Sequence, residues 1–150
     1  MARTWGWSDR EVWCFKSQII NQLIDGLEQL EQAKKTHNDL KPGNILYKRV
    51  DNQFEVKIGD FGQAGKLGGT PGWTAPIFVN REPGKEDVYS MGSVILWILC
   101  DTSELFYSLR DNYVKDTNQK WVNNFRRSSE IRFVMKMINL DDPLSVDDVR

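Results

Sequence analysis

Thr36-His37-Asn38-Asp39-Leu40-Lys41-Pro42-Gly43-Asn44 is followed, sixteen residues after Asn44, by Asp60-Phe61-Gly62. An acid, a cation and an amide stand within the six residues Asp39 to Asn44. Pro42 and Gly43 force that stretch into a loop, because proline lacks the N–H that a helix interior needs and glycine loses most entropy on ordering. Between the two motifs, Ile45-Leu46-Tyr47 and Phe54-Glu55-Val56-Lys57-Ile58 read as short strands, and the polar pair Asp51-Asn52 reads as the turn that joins them. The second acid, Asp60, follows that short hairpin.

Outward from this centre the chain reads as helix. Ser8-Asp9-Arg10-Glu11 has the form of a capping box. Val12, Ile19, Ile20, Leu23, Ile24, Leu27 and Leu30 then recur at helical spacing, which predicts a helix to about Ala33. Gly26 weakens that helix by ~1 kcal/mol against alanine. Beyond the second motif, Gly59, Gly62, Gly65, Gly68 and Gly69 make an irregular segment that ends at Pro71 and Pro76. A helix is predicted from about Lys85 to Cys100. From Val88 onward it is apolar on nearly all sides, the pattern of a helix buried all round. Two amphipathic helices are predicted near 103–114 and 119–138, and Ser145 reads as the cap of a helix that has barely begun. The fold class is therefore mainly α (α+β overall), a helical unit with one small hairpin, and residues 1–150 read as a single domain.

Composition narrows the function. The formal net charge of −1 carries no nucleic-acid footprint and no polybasic membrane patch. The longest apolar run, Val94 to Cys100, is far short of the ~20 residues that span a bilayer. No apolar leader opens the chain. The two cysteines, Cys14 and Cys100, lack any paired spacing and read as free, buried thiols. A cytoplasmic protein is expected, with no nucleic-acid or membrane partner.

The motifs together resemble one family. His37 to Asn44 resembles the catalytic loop of eukaryotic protein kinases, and Asp60-Phe61-Gly62 resembles their magnesium-binding motif. Gly69 to Pro76 resembles the end of the activation segment, and Asp87-Val88-Tyr89-Ser90-Met91-Gly92 the start of the central helix. Each motif alone is weak, but four in the right order make coincidence negligible.

The resemblance implies the protein-kinase-like C-lobe, with the N-lobe absent from the chain. It implies ATP and Mg2+ as cofactors. It assigns Asp39 to orient the attacking hydroxyl and take its proton, and Lys41 to the transferring phosphoryl group. Asn44 and Asp60 would hold the metal, and Leu46 would lie under the adenine. Asp-Leu-Lys-Pro and Thr70, whose hydroxyl would bridge Asp39 and Lys41, imply the serine/threonine class. Asp87 would hold the backbone of His37 and Asn38. Each residue also has a plain reading: Asn44 and Lys41 as loop-stabilising groups, Thr70 as a turn residue, Leu46 as a core strand residue, and Asp87 as an acid at a helix start.

The chain also departs from the family pattern. Asn38 stands where the family has an arginine that reads a phosphorylated activation loop, and Gln63 to Gly69 contains no hydroxyl to phosphorylate. Switching by phosphate in that loop is not expected. Ile77 and Val146 stand where the family has a glutamate and an arginine that pair, so an apolar contact is expected in place of the ion pair. The glycine-rich loop and strand lysine that grip ATP are not found before the catalytic loop. Two functions follow. One is the catalytic lobe of a protein serine/threonine kinase, inactive as an isolated lobe, acting on a protein substrate once completed by its N-lobe or an equivalent partner. The other is a non-catalytic binding module, a decoy or scaffold docked on a partner kinase or its substrate. Leu46 and Phe61 would lie on the apolar surface left open by the missing lobe.

Overall fold

The computed structural model describes residues 6–51, 53–62, 69–74 and 85–100. The helices expected near 103–114 and 119–138, the contact of Ile77 with Val146 and the cap at Ser145 lie outside them. The described elements are helix α1 (Asp9–Gln32), a one-turn 3-10 helix (Pro42–Asn44), strands β1 (Ile45–Val50) and β2 (Gln53–Ile58), and helix α2 (Lys85–Leu99). Two helices and one antiparallel pair fit the mainly α reading.

Helix α1 begins where its sequence says it should. The Ser8 hydroxyl accepts from the Glu11 N–H, and the Glu11 carboxylate takes the Ser8 N–H at 2.7 Å, so two orphan donors of the first turn are satisfied reciprocally. Those bonds also hold the Glu11 carboxyl below its ordinary value. At the other end, the Lys35 N–H reaches the Leu30 carbonyl and the Lys34 N–H reaches that of Glu31. This is the Schellman closure, with Lys34 at φ 54 in the place where glycine is usual.

Leu23, Leu27 and Leu30 make the buried stripe of α1, and Leu23 and Leu27 join Leu40 and Val88, Met91, Val94, Ile95, Leu96 and Leu99 of α2 in one core. Each such side chain contributes roughly 1.5–3 kcal/mol by leaving water. Cys14 is exposed, unlike the buried thiol expected, because it lies nine residues and half a helical circumference from Leu23. Cys100 is half-buried, and both cysteines are free.

The strands run longer than their apolar cores suggested. They pair in register from Ile45↔Ile58 to Val50↔Gln53. Asp51 sits at φ 55, the left-handed conformation that tight hairpin turns demand. Phe54, Val56 and Ile58 face α1 by strand alternation, and Phe54 meets Phe15 edge-on, with ring centroids 4.6 Å apart. The outer edge of β2 is closed by one side chain. Gln22 donates to the Phe54 carbonyl and accepts from the Val56 N–H, both at 2.7 Å, as a neighbouring strand would. A Cβ on Gly26 would lie 2.9 Å from Ile58 Cδ1, so the glycine that weakens α1 also admits the sheet.

Helix α2 is buried around most of its girth, including Ser90 and Ser93 on the face opposite its apolar stripe. It is not buried all round, as the sequence suggested. Trp97, on that reverse face in the last full turn, is 43% exposed. Among the described residues the Ser93 hydroxyl has no hydrogen-bond partner. An unmade bond in a buried site leaves the desolvation penalty uncompensated. Ser93→Ala is therefore expected to raise stability by about 1 kcal/mol in urea denaturation. A loss of stability would show that the hydroxyl is satisfied in solution. Among the described residues, no helix is long and apolar enough to cross a membrane.

Candidate functional site

The loop that carries Asp39 is suspended from α2. Asp87, in the first turn of that helix, accepts the backbone N–H groups of His37 at 2.7 Å and Asn38 at 2.9 Å through its two carboxylate oxygens. Burial pushes the Asp87 carboxyl above its ordinary value, although the two N–H bonds pull it back. The acid expected at a helix start and the acid expected to hold the loop are thus one residue in both roles.

His37 is wholly buried and fixed at both nitrogens. Nδ1 accepts the Asp39 N–H at 3.1 Å, so the proton lies on Nε2, which donates to the Gly59 carbonyl at 2.7 Å. The ring also lies against Phe61, centroid to centroid 4.8 Å. One imidazole therefore ties the loop of Asp39 to the segment that carries Asp60. The sequence motif contained His37, but its joining role needed the hairpin register to become visible.

Asp39, Lys41, Asn44 and Thr70 are brought together. The Thr70 hydroxyl donates to Asp39 Oδ1 at 2.7 Å and accepts from Lys41 Nζ at 2.8 Å. Lys41 Nζ also stands 3.6 Å from Asp39 Oδ2. Asn44 donates to the Asp39 carbonyl at 2.7 Å and lies 3.4 Å from Asp39 Oδ2. Partial burial pushes the Asp39 carboxyl up. The Thr70 bond, the Lys41 charge and the Asn44 bond together outweigh it and hold the carboxyl below its ordinary value. Asp39 is therefore ionised at neutral pH, as an acceptor of a hydroxyl proton must be.

Asn44 ends the 3-10 helix, where Pro42 occupies the first position with its fixed φ. Its carbonyl accepts the Gly59 N–H at 2.8 Å, which closes the hairpin base and places Asp60 at the same end as Asn44. Asp60 is exposed, at φ 54, a left-handed conformation that aspartate tolerates better than most residues. Leu46 is 59% exposed rather than a core strand residue, because β1 has only its first residue turned toward the core. Among the described residues no three of His, Cys, Asp and Glu gather to hold a metal. A magnesium ion shared with nucleotide phosphates needs only one or two carboxylates and hard oxygens from the protein. The exposed Asp60 carboxylate and Asn44 Oδ1, left over once Nδ2 has gone to Asp39, fit that demand.

Gly69 is a second residue whose importance the sequence did not disclose. At φ 112 it approaches the loop so closely that a Cβ would collide with the Thr74 hydroxyl and lie 2.6 Å from the Asn38 carbonyl oxygen. Asn38 itself sits at φ 69. Gly69→Ala is expected to lower stability by about 2 kcal/mol and to break the Thr70 bridge, seen as faster hydrogen exchange over 69–74. Unchanged protection there would count against the close approach.

A loop that carries an ionised acid, a cation and an amide, joined to a second acid across a hairpin, defines the class of protein by its order and geometry. The chain belongs to the protein kinase family: the protein kinase domain matches residues 14–143. It is similar to the inactive serine/threonine-protein kinase PLK5 of Mus musculus, at 32% identity over 120 residues, covering 66% of this chain and 20% of that protein. It is similar to serine/threonine-protein kinase 1 of Arabidopsis thaliana, at 41% identity over 86 residues, covering 49% of this chain and 10% of that protein. It is also similar to calcium/calmodulin-dependent protein kinase type 1 of Macrobrachium nipponense, at 34% over 94 residues, 56% and 27% of the two chains. The chain spans between 10% and 27% of the length of these relatives.

Proposed function

We propose that this chain is the C-terminal catalytic lobe of a protein serine/threonine kinase, forming with the rest of its protein a site for ATP-dependent phosphoryl transfer. The observation that carries the reading is the Thr70 hydroxyl seated between Asp39 Oδ1 and Lys41 Nζ. In the reaction, a serine or threonine hydroxyl oxygen forms a bond to the γ-phosphorus of ATP. The bond from that phosphorus to the bridging oxygen breaks, ADP leaves, and the hydroxyl proton passes to Asp39. Lys41 offsets charge on the phosphoryl oxygens. Thr70 fixes the Asp39 rotamer and the lysine together. Asn44 and Asp60 would hold Mg2+, which neutralises phosphate charge when bound. Leu46 offers an apolar surface for the adenine.

A relative whose name declares it inactive shows that family membership alone does not carry turnover; the intact set Asp39, Lys41, Asn44, Asp60 supports it here. The 150 residues alone are expected to transfer phosphoryl groups negligibly. Calorimetry on this chain tests the reading. Weak ATP binding that requires Mg2+ and is lost in Asp60→Asn is expected. The second reading, a binding module that acts as decoy or scaffold, is favoured by the exposed Leu46, Tyr47 and Phe61. Absence of Mg2+-dependent ATP binding, together with a stable complex with another kinase, would move it ahead.

A further inference from the structure

Gly59 joins the end of β2 to Asp60. A Cβ placed on it would lie 2.9 Å from Leu46 Cδ1 and 3.3 Å from Leu46 Cγ. Non-bonded carbon atoms prefer about 3.5–4.0 Å. The Leu46 side chain is therefore folded down onto the bare α-carbon of Gly59, in space that any other residue would fill. The backbone itself does not demand glycine here. Gly59 is not among the glycines held at positive φ, so an L-residue adopts its conformation without strain.

The glycine is also fixed at both ends. Its N–H donates to the Asn44 carbonyl at 2.8 Å, and its carbonyl accepts from His37 Nε2 at 2.7 Å. A side chain added at this position cannot be accommodated by sliding the backbone unless one of those bonds breaks. Leu46 yields instead, because its contacting atoms are the end of a rotatable side chain that is 59% exposed. The Asn44 carbonyl oxygen, 3.8 Å from the same Cβ, is in ordinary contact and need not move. Leu46 pairs across the hairpin with Lys57, two residues before Gly59, so strand alternation carries Gly59 to the Leu46 side.

We propose that Gly59 is a positioning residue for the nucleotide base: by carrying no side chain it lets Leu46 lie low, and so sets the depth of the apolar floor under the adenine. The inference rests on the proposed seat of the adenine on Leu46. It separates the base from the phosphates. A methyl group on Gly59 lifts Leu46, while the two backbone bonds keep Asp60 in place. The base then loses its seat, and the metal–phosphate end does not.

The test uses the 150-residue chain with labelled leucine methyl groups and two probes, Mg2+–ATP and Mg2+–tripolyphosphate, which carries the phosphates without the base. In the parent, ATP is expected to shift the Leu46 methyl signals and tripolyphosphate to leave them nearly unmoved. Gly59→Ala is expected to bind ATP about fivefold more weakly and tripolyphosphate as the parent does. In a Leu46→Ala background, where Cγ and Cδ1 are gone, Gly59→Ala should cost nothing further. Should Gly59→Ala not fold, nuclear Overhauser contacts in the parent complex decide the matter. One Leu46 methyl group is expected to meet both the Gly59 α-protons and an adenine ring proton, and absence of the Gly59 contact would overturn the proposal. Leu46 signals that ignore ATP in the parent would overturn the seat of the adenine and this proposal with it. Leu46 signals that respond, with equal ATP affinity in Gly59→Ala, would overturn this proposal alone. So would equal weakening of ATP and tripolyphosphate, since Asp60 would then have moved with the methyl group.

Discussion

Asp39→Asn, introduced into the complete protein, is expected to lower kcat for peptide phosphorylation about 10²- to 10⁴-fold, the range typical of a lost proton acceptor. The substitution keeps the shape of the side chain and an oxygen for the Thr70 hydroxyl. It removes the charge that Lys41 faces at 3.6 Å and the basicity that would take a hydroxyl proton. The KM for ATP should change little, since the nucleotide's metal is assigned to Asn44 and Asp60 and not to Asp39. A fall of only a few-fold would mean that Asp39 is a polar brace for its loop, which is the competing reading of the Thr70 bridge. Serine and threonine peptides should be phosphorylated in preference to tyrosine peptides in the same assay.

Asp87→Ala is expected to destabilise the chain by about 3 kcal/mol, since two buried N–H groups lose their acceptors together, each at ~1–3 kcal/mol. The pH dependence has a definite sign. Burial raises the folded-state value of the Asp87 carboxyl above that of the unfolded chain, so between the two values the native state holds more protons. Stability from this group is therefore greatest below the ordinary carboxylate value and declines as pH rises through the raised one. The penalty of Asp87→Ala should shrink across that window in urea titrations at successive pH values. Asp39 acts oppositely: its lowered value gives stability that is present above the ordinary carboxylate value and lost as pH falls through the folded one. A penalty below about 1 kcal/mol at every pH would show that water replaces the carboxylate at the His37 and Asn38 N–H groups.

What the sequence disclosed was governed by local chemistry. The start of α1 was legible because Ser8 and Glu11 satisfy each other within one turn. The hairpin was legible from its two apolar runs, but not its full length. The residues it adds to β1, Lys48, Arg49 and Val50, are exposed, and pairing there is carried by backbone bonds. The nearness of Asp39, Lys41, Asn44 and Thr70 was expected from resemblance, and the distances place them together.

What remained hidden depended on segments far apart in sequence. The choice of the Nε2–H tautomer of His37 is made by Asp39 on one side and Gly59 on the other. Gly69 looked like one glycine of five in an irregular stretch until its approach to the Asn38 carbonyl appeared. Gln22, an unremarked polar residue on the helix, proves to close the edge of β2. Burial was misread at Cys14 and Trp97 for one reason: apolar or small character does not say which side of a helix has neighbours.

Asn44 and Asp60 are proposed to present metal ligands beside the Asp39–Lys41 pair. Mn2+ titrated into the isotope-labelled chain with a non-hydrolysable ATP analogue tests it directly, since a paramagnetic ion broadens amide signals in its immediate surroundings. The account predicts selective broadening at Asn44 and Asp60, abolished by Asp60→Asn. Broadening confined to surface acids such as Asp9, Asp25 and Glu28, with Asn44 and Asp60 untouched, would contradict it.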